Sequence, residues 1–192
     1  MFAEALAARL SGIVELSPEQ VRALEAHYRL LVLWNRTLNL SAITGLEESV
    51  ERHYCESLFL GARLPPGPLA IADIGSGAGF PGFPVAVLRP ECSVTLIESH
   101  RRKAVFLREA SRGLPRVKVV AKRAEEVRDG FDVAISRAVS YKDLAPTLKL
   151  LAPNADLLSG AEKPAATMGF EWKEPVPLPW GNARFLWMGM RV

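Results

Sequence analysis

Residues 70–84 read AIADIGSGAGFPGFP. An apolar run carries Asp73 near its end and then breaks into glycine at every second position, Gly75, Gly77 and Gly79. A short apolar run of this kind, bounded by a turn signal, predicts a buried strand. Glycine after such a strand lets the backbone take strained angles and lets a ligand approach with no Cβ in the way. The next apolar segment, Pro84–Leu88, predicts a short helix.

Downstream the alternation continues. SVTLIE (Ser93–Glu98) predicts a second strand, and Arg101–Leu114 a helix with Val105 and Leu107 turned inward, closed by Gly113 and Pro115. VKVVAKR and FDVAISRA predict a third and a fourth strand, YKDLAPTLKLLAP a helix, ADLLSG a fifth strand, and FLWMGMRV a late strand after the proline-rich KEPVPLPW. Strands alternating with helices imply a doubly wound, mostly parallel α/β sheet. Upstream, LPPGP (Leu64–Pro68) is a stiff turn that divides the chain. The residues before it read as helical. SPEQ (Ser17–Gln20) is a capping box with proline in the first turn. Val21, Leu24, Tyr28, Leu31 and Trp34 then recur at helical spacing and form a core stripe. WNRTLNLSAIT (Trp34–Thr44) reads as irregular, with Asn35 and Asn39 tying the loop, and a further helix is expected to end near Gly61.

In parallel sheets of this kind ligands bind beyond the carboxyl ends of the strands. Glu98, about 20 residues after the first strand, stands where an acid accepts hydrogen bonds from ribose hydroxyls. The combination predicts a nucleoside site. A dinucleotide site uses GxGxxG to seat a pyrophosphate. Here the third glycine comes one residue early, and the prolines of FPGFP remove donors an anion would want. Asp73 is poorly placed beside pyrophosphate but suits the ammonium or sulfonium of S-adenosylmethionine.

Composition sets the outer bounds. The chain has 192 residues, 49% hydrophobic and 23% charged, which suits a globular domain with its own core. No apolar run is long enough for a membrane span, and the N-terminus lacks a basic leader, so a cytoplasmic protein is expected. Cys55 and Cys92 lack metal-ligand spacing and read as reduced, buried thiols; no metal site is evident. Net charge is +3, unevenly spread: residues 101–128 hold ten Lys or Arg against three acids, a local +7. Such a segment can attract phosphates.

Several stretches together resemble the bacterial 16S rRNA guanine-N7 methyltransferases of the RsmG (GidB) type: WNRTLNLSAIT, RHYCESL (Arg52–Leu58), DIGSGAGFPGFP, TLIESHRRKAVFLRE, KRAEE (Lys122–Glu126), FDVAISRAV (Phe131–Val139) and ARFLWMGMRV. The likeness implies a Rossmann-like methyltransferase sheet over residues 65–192 carrying an N-terminal helical cap over 1–64. It implies S-adenosylmethionine held by Gly75, Phe80, Glu98, Ser99, His100, Ala124, Glu125 and Arg137, to which the reading of the turn itself adds Asp73, Gly77 and Gly79. Arg137 would also position the base, and 16S rRNA or the small ribosomal subunit would be the partner, with Arg101, Arg102, Lys103, Lys122 and Arg123 on the RNA. A monomer is expected. Two features depart from the family's usual pattern: Glu56 replaces Asp and Ser41 replaces Thr. In addition, the stretch LLAPNADLLSGAEKPAATMG is short and has no lysine-glycine pair after the fifth strand. His53 and Glu56, three residues apart, are expected to pair and dock the cap, His27 to pack or face solvent, and Phe80 to line either pocket or core. The rival readings are a small-molecule methyltransferase with the same cofactor and a nicotinamide-dependent oxidoreductase.

Overall fold

The computed structural model describes residues 1–165 and 168–192. The last part of AEKPAATMG therefore includes two positions outside the described residues. Helix α1 (Phe2–Leu10) and the long α2 (Pro18–Leu38) open the chain. The expected capping box is present: Ser17 Oγ accepts from the Gln20 amide at 3.3 Å, and Gln20 Oε1 accepts from the Ser17 amide at 2.8 Å. The helix runs on through WNRTL, expected to be irregular, and ends at Asn39 in the left-handed conformation, φ 44°. Asn tolerates that conformation because its short side chain bonds locally.

A continuous helical rod follows in three parts: α3 (Leu46–Ser49), a π-helical turn (Val50–Cys55) and α4 (Glu56–Gly61). A π turn widens the helix by one residue and is often found at functional sites; here it carries Arg52 and His53.

The sheet contains β1 (Ala70–Ile74), β2 (Ser93–Ile97), β3 (Val117–Val120), β4 (Val133–Arg137), β5 (Asn154–Ser159), β6 (Phe170–Trp172), β7 (Val176–Pro177) and β8 (Phe185–Arg191). Its order is β3-β2-β1-β4-β5-β8-β6, with β7 also on β8. The first five strands are parallel, whereas β8 and β6 run antiparallel. Strand β6, three residues long, was not expected from the sequence. Its alternation is too short to register as a periodic signal. Helices α5 (Gly82–Leu88), α6 (Arg101–Ala110) and α7 (Tyr141–Leu151) connect the parallel strands.

Each face of the sheet buries its own core. One contains Ile71, Leu96, Ile135, Phe83, Phe106 and the cap residues Leu6, Leu24, Val50 and Leu58, so cap and sheet share a continuous interior. The other packs Ala72, Ile74, Ala134 and Leu157 against Leu144 and Leu148 of α7. On α6 the inward residues are Ala104, Phe106 and Leu107; Val105, expected inside, is half exposed. The sheet lies on the opposite side of that helix. Among the described residues no helix is long and apolar enough to cross a membrane.

Candidate active site

Register places the predicted residues together. Ile74 lies level with Ile97 of β2 and Ser136 of β4, and Ile97 lies level with Val120 of β3. The next residue of each strand therefore emerges along one edge: Gly75, Glu98, Ala121 and Arg137. The strand order reverses between β1 and β4, so this edge is the switch point where a ligand crevice forms.

The glycine turn bends sharply around this crevice. Gly75, Gly77 and Gly79 have φ of 71°, 56° and 95°, values that strain any residue with a Cβ. At Gly75 a Cβ would also stand 2.6 Å from Val139 Cγ2 on the segment after β4. Five of the six amides from Gly75 to Phe80 are consumed internally. Gly75 and Ser76 donate to Ile97 O at 2.9 and 3.1 Å, Gly79 and Phe80 donate to Ser76 O at 2.7 and 3.0 Å, and Gly77 donates to Glu98 Oε2 at 2.9 Å. Glu98 Oε1 accepts from the His100 amide at 2.7 Å. Each oxygen of Glu98 keeps a further lone pair for a ligand hydroxyl.

Asp73 requires a correction. It was expected to face the sulfonium. Its side chain is fully buried, and Oδ2 accepts from the Gly82 amide at 3.0 Å at the start of α5. A Cβ at Gly82 would meet Asp73 Oδ2 at 2.5 Å, so glycine is what lets the helix come this close. Burial raises the Asp73 pKa to about 7, and among the described residues Oδ1 is without a hydrogen-bond partner. The acid thus closes the inner end of the turn and takes up the first amide of α5.

Phe80 is also turned inward. It is buried, stacks on His53 at 4.5 Å between ring centroids and meets His27 and Tyr54 edge-on at 5.3 and 5.1 Å. Its side chain is core, and only its backbone remains for the turn. His27 is not on the surface. It is buried, with Nε2 3.0 Å from Ala78 O and Nδ1 2.7 Å from Tyr54 Oη. Because a carbonyl only accepts, Nε2 carries the proton and Nδ1 accepts from the tyrosine. Burial holds its pKa at about 3, so His27 is a neutral strut from α2 to the glycine turn. No local signal marks this partnership, since Ala78 lies 51 residues away.

His53 and Glu56 do not pair with each other. His53 Nε2 meets Ser41 Oγ at 2.7 Å, and Nδ1 accepts from Arg137, which also donates to Arg52 O. Burial and the neighbouring Arg137 lower the His53 pKa to about 3. Glu56 is fully buried and takes Arg184 in a bidentate grip at 3.1 and 2.6 Å. Arg137, expected to face the transfer region, is therefore engaged with the cap, its own pKa lowered by burial to about 10.

A family model described as rRNA small subunit methyltransferase G matches residues 20–159. The chain belongs to that family. Ribosomal RNA small subunit methyltransferase G of Halorhodospira halophila is 43% identical over 80% of this chain and 76% of its own length. The namesake from Nitrosococcus oceani is 43% identical over 65% of this chain, and the match spans 59% of the relative's length. Among solved structures, a SAM-dependent methyltransferase from Aquifex aeolicus superposes with a TM-score of 0.58 at 16% identity, over 76% of this chain and 93% of its own. Fibrillarin of Aeropyrum pernix, in complex with natively bound S-adenosyl-L-methionine, superposes at 0.55 with 12% identity, over 70% of this chain and 73% of its own. These neighbours show the same α/β fold.

In this member of the rRNA small subunit methyltransferase G family the remaining predicted residues line the same rim. Ser99 and His100 are exposed, and His100 caps α6. Ala124 and Glu125 sit in a short 3-10 turn after β3, Ala124 half-buried and Glu125 exposed. Arg101, Arg102, Lys122 and Arg123 are exposed and Lys103 is half-buried, all in the segments that leave β2 and β3 at this edge. Among the described residues none of these five forms a salt bridge, whereas Lys118 and Arg112 of the same basic segment do. Cys55 is buried and its pKa is pushed up to about 12, so it is an inert core thiol.

Proposed function

We propose that this chain transfers a methyl group from S-adenosylmethionine to N7 of a guanine in 16S rRNA. The observation that carries the cofactor half is the glycine turn. Five of its six amides from Gly75 to Phe80 are already donated within the protein, and the amide at the start of α5 is already met by Asp73. A pyrophosphate needs free amides at this place; a ligand carrying ribose hydroxyls and a positive charge does not. Gly75 offers exposed backbone with no side chain, Glu98 offers carboxylate lone pairs for the ribose, and Ala124 and Glu125 border the next position along the rim. The same argument counts against a nicotinamide cofactor.

When bound, S-adenosylmethionine supplies a methyl group on a sulfonium. Guanine N7 carries a lone pair and no proton, so the chain has only to hold it in line. Positioning of this kind is worth about 7–11 kcal/mol. No general base is required, and the histidines nearest the turn, His27 and His53, are neutral, buried and hydrogen-bonded through both nitrogens. Arg137 acts through the cap, joining the end of β4 to the π-helical turn.

The RNA half rests on family membership and on the unpaired cations of residues 101–103 and 122–123, which flank the crevice. N7 lies on the Hoogsteen edge, reachable in single-stranded loops. A small-molecule methyltransferase would have no use for that strip. The deciding experiment offers labelled S-adenosylmethionine together with naked rRNA or small subunits and maps the modified base. Label at a guanine N7 supports the reading; label confined to small molecules refutes it. Binding to RNA should weaken steeply with salt, and binding to the cofactor should not.

A further inference from the structure

A second group of cations lies on the opposite side of the crevice. Arg137 ends β4, Arg184 immediately precedes β8 at the end of the sheet where β5 finishes, and Arg52 projects from the π-helical turn. All three converge on Glu56: Arg184 at 2.6 Å, Arg52 at 3.4 Å and Arg137 at 3.9 Å. Glu56 is fully buried, and the side chains of Arg137, Arg184 and Arg52 are 13%, 20% and 35% exposed. Three guanidinium groups thus share one carboxylate. The next acid, Asp73, is buried and already engaged by the Gly82 amide, and His53 beside Arg137 is neutral.

Burying cations in excess of anions is costly unless a further anion completes the group. Arg184 and Arg137 spend donors on Glu56, His53 and the Arg52 carbonyl. Arg52 does not: among the described residues its guanidinium donates no hydrogen bond, and its buried Nε makes only the 3.4 Å ion pair with Glu56. Arginine in such a setting recognises oxyanions through paired N–H donors.

We propose that Arg52 and Arg184, held in place by Glu56 and Arg137, take a backbone phosphate of the RNA that carries the target base. This rests on the function proposed above. It places cations on both sides of the crevice, the 101–103 and 122–123 strip beyond β2 and β3 and the Glu56 cluster beyond β4. A strand crossing the crevice is then gripped on either side of the reacting base.

Arg52 is the residue to change, because it is the most exposed of the three and Glu56 keeps its bidentate partner without it. In methyl transfer to rRNA or small subunits, R52Q raises the KM for RNA about five- to tenfold. It also lowers the slope of log affinity against log salt by about 0.7–1, the share of one phosphate. R52K keeps the charge and holds the wild-type slope. The Kd for S-adenosylmethionine, measured by calorimetry, stays within twofold in both variants. An unchanged KM and slope in R52Q, or equal losses in R52Q and R52K, overturns the proposal. So does a loss of cofactor affinity with unchanged RNA binding, which would make the anion the cofactor's own carboxylate. A wild-type chain that binds the cofactor yet methylates no RNA sinks the function reading itself, and is told apart because it needs no variant.

Discussion

At Gly75 an added Cβ would meet Val139 of the segment after β4, and replacement by alanine tests the proposed cofactor site directly. Two costs are separable. The backbone sits at φ 71°, where a Cβ costs about 1–2 kcal/mol. That Cβ would also lie 2.6 Å from Val139 Cγ2, against an ordinary carbon contact of about 3.5–4.0 Å. Roughly 1 Å must be yielded, and overpacking of this order costs about 1–3 kcal/mol. The chain relieves both by moving the turn, which is the part proposed to meet the cofactor. If only about 2 kcal/mol is felt in the bound state, affinity falls about thirtyfold. V139A removes the clashing methyl and by itself changes the Kd by less than about threefold. G75A/V139A recovers the steric share and keeps the backbone share, a coupling of about 1–3 kcal/mol in a double-mutant cycle. The assay is calorimetric titration with S-adenosylmethionine, each variant checked for folding by thermal melting. A double variant no tighter than G75A refutes the steric argument. G75A binding like wild type refutes the placement of the cofactor at this turn.

Three further outcomes follow from the site. Asp73 has a raised pKa of about 7, so its contribution to stability is full below about pH 3.8 and is lost as pH rises to about 7. D73N lacks that loss and should gain about 2–3 kcal/mol relative to wild type between pH 5 and pH 7; denaturant melts at both values check it, and a pH-independent difference contradicts it. Y54F leaves the buried His27 Nδ1 without its donor, a cost of about 1–3 kcal/mol, read as a fall in Tm of about 2–12 °C; an unchanged Tm would show that the strut carries no load. E98A removes the carboxylate that accepts from Gly77 and His100 and should weaken cofactor binding by at least tenfold. E98Q, which keeps one acceptor, should fall between the two, and equal binding by all three forms rules Glu98 out of the site.

The parts legible in the sequence were those with a local cause. A capping box closes within four residues, and Ser17 and Gln20 mark the start of α2 without help from any tertiary contact. The apolar runs at β1, β2 and β4 and the glycines between β1 and α5 were equally local, because strand burial and positive φ leave a mark on residue type. From these the parallel sheet, the switch point and the acid after β2 followed.

What only the tertiary structure decided were the partners of polar side chains in the interior. Nothing near Asp73 in sequence indicated that its carboxylate would turn to Gly82 rather than to open space. His27 finds Ala78, Arg137 finds His53, and Glu56 finds Arg184 across 128 residues of chain. The physical reason is common to all four. A buried donor or acceptor must be matched, and the match is chosen by which groups the packed cap brings within about 3 Å. Periodicity and turn chemistry settle where a strand ends; they carry no information about which distant atom completes a hydrogen bond there.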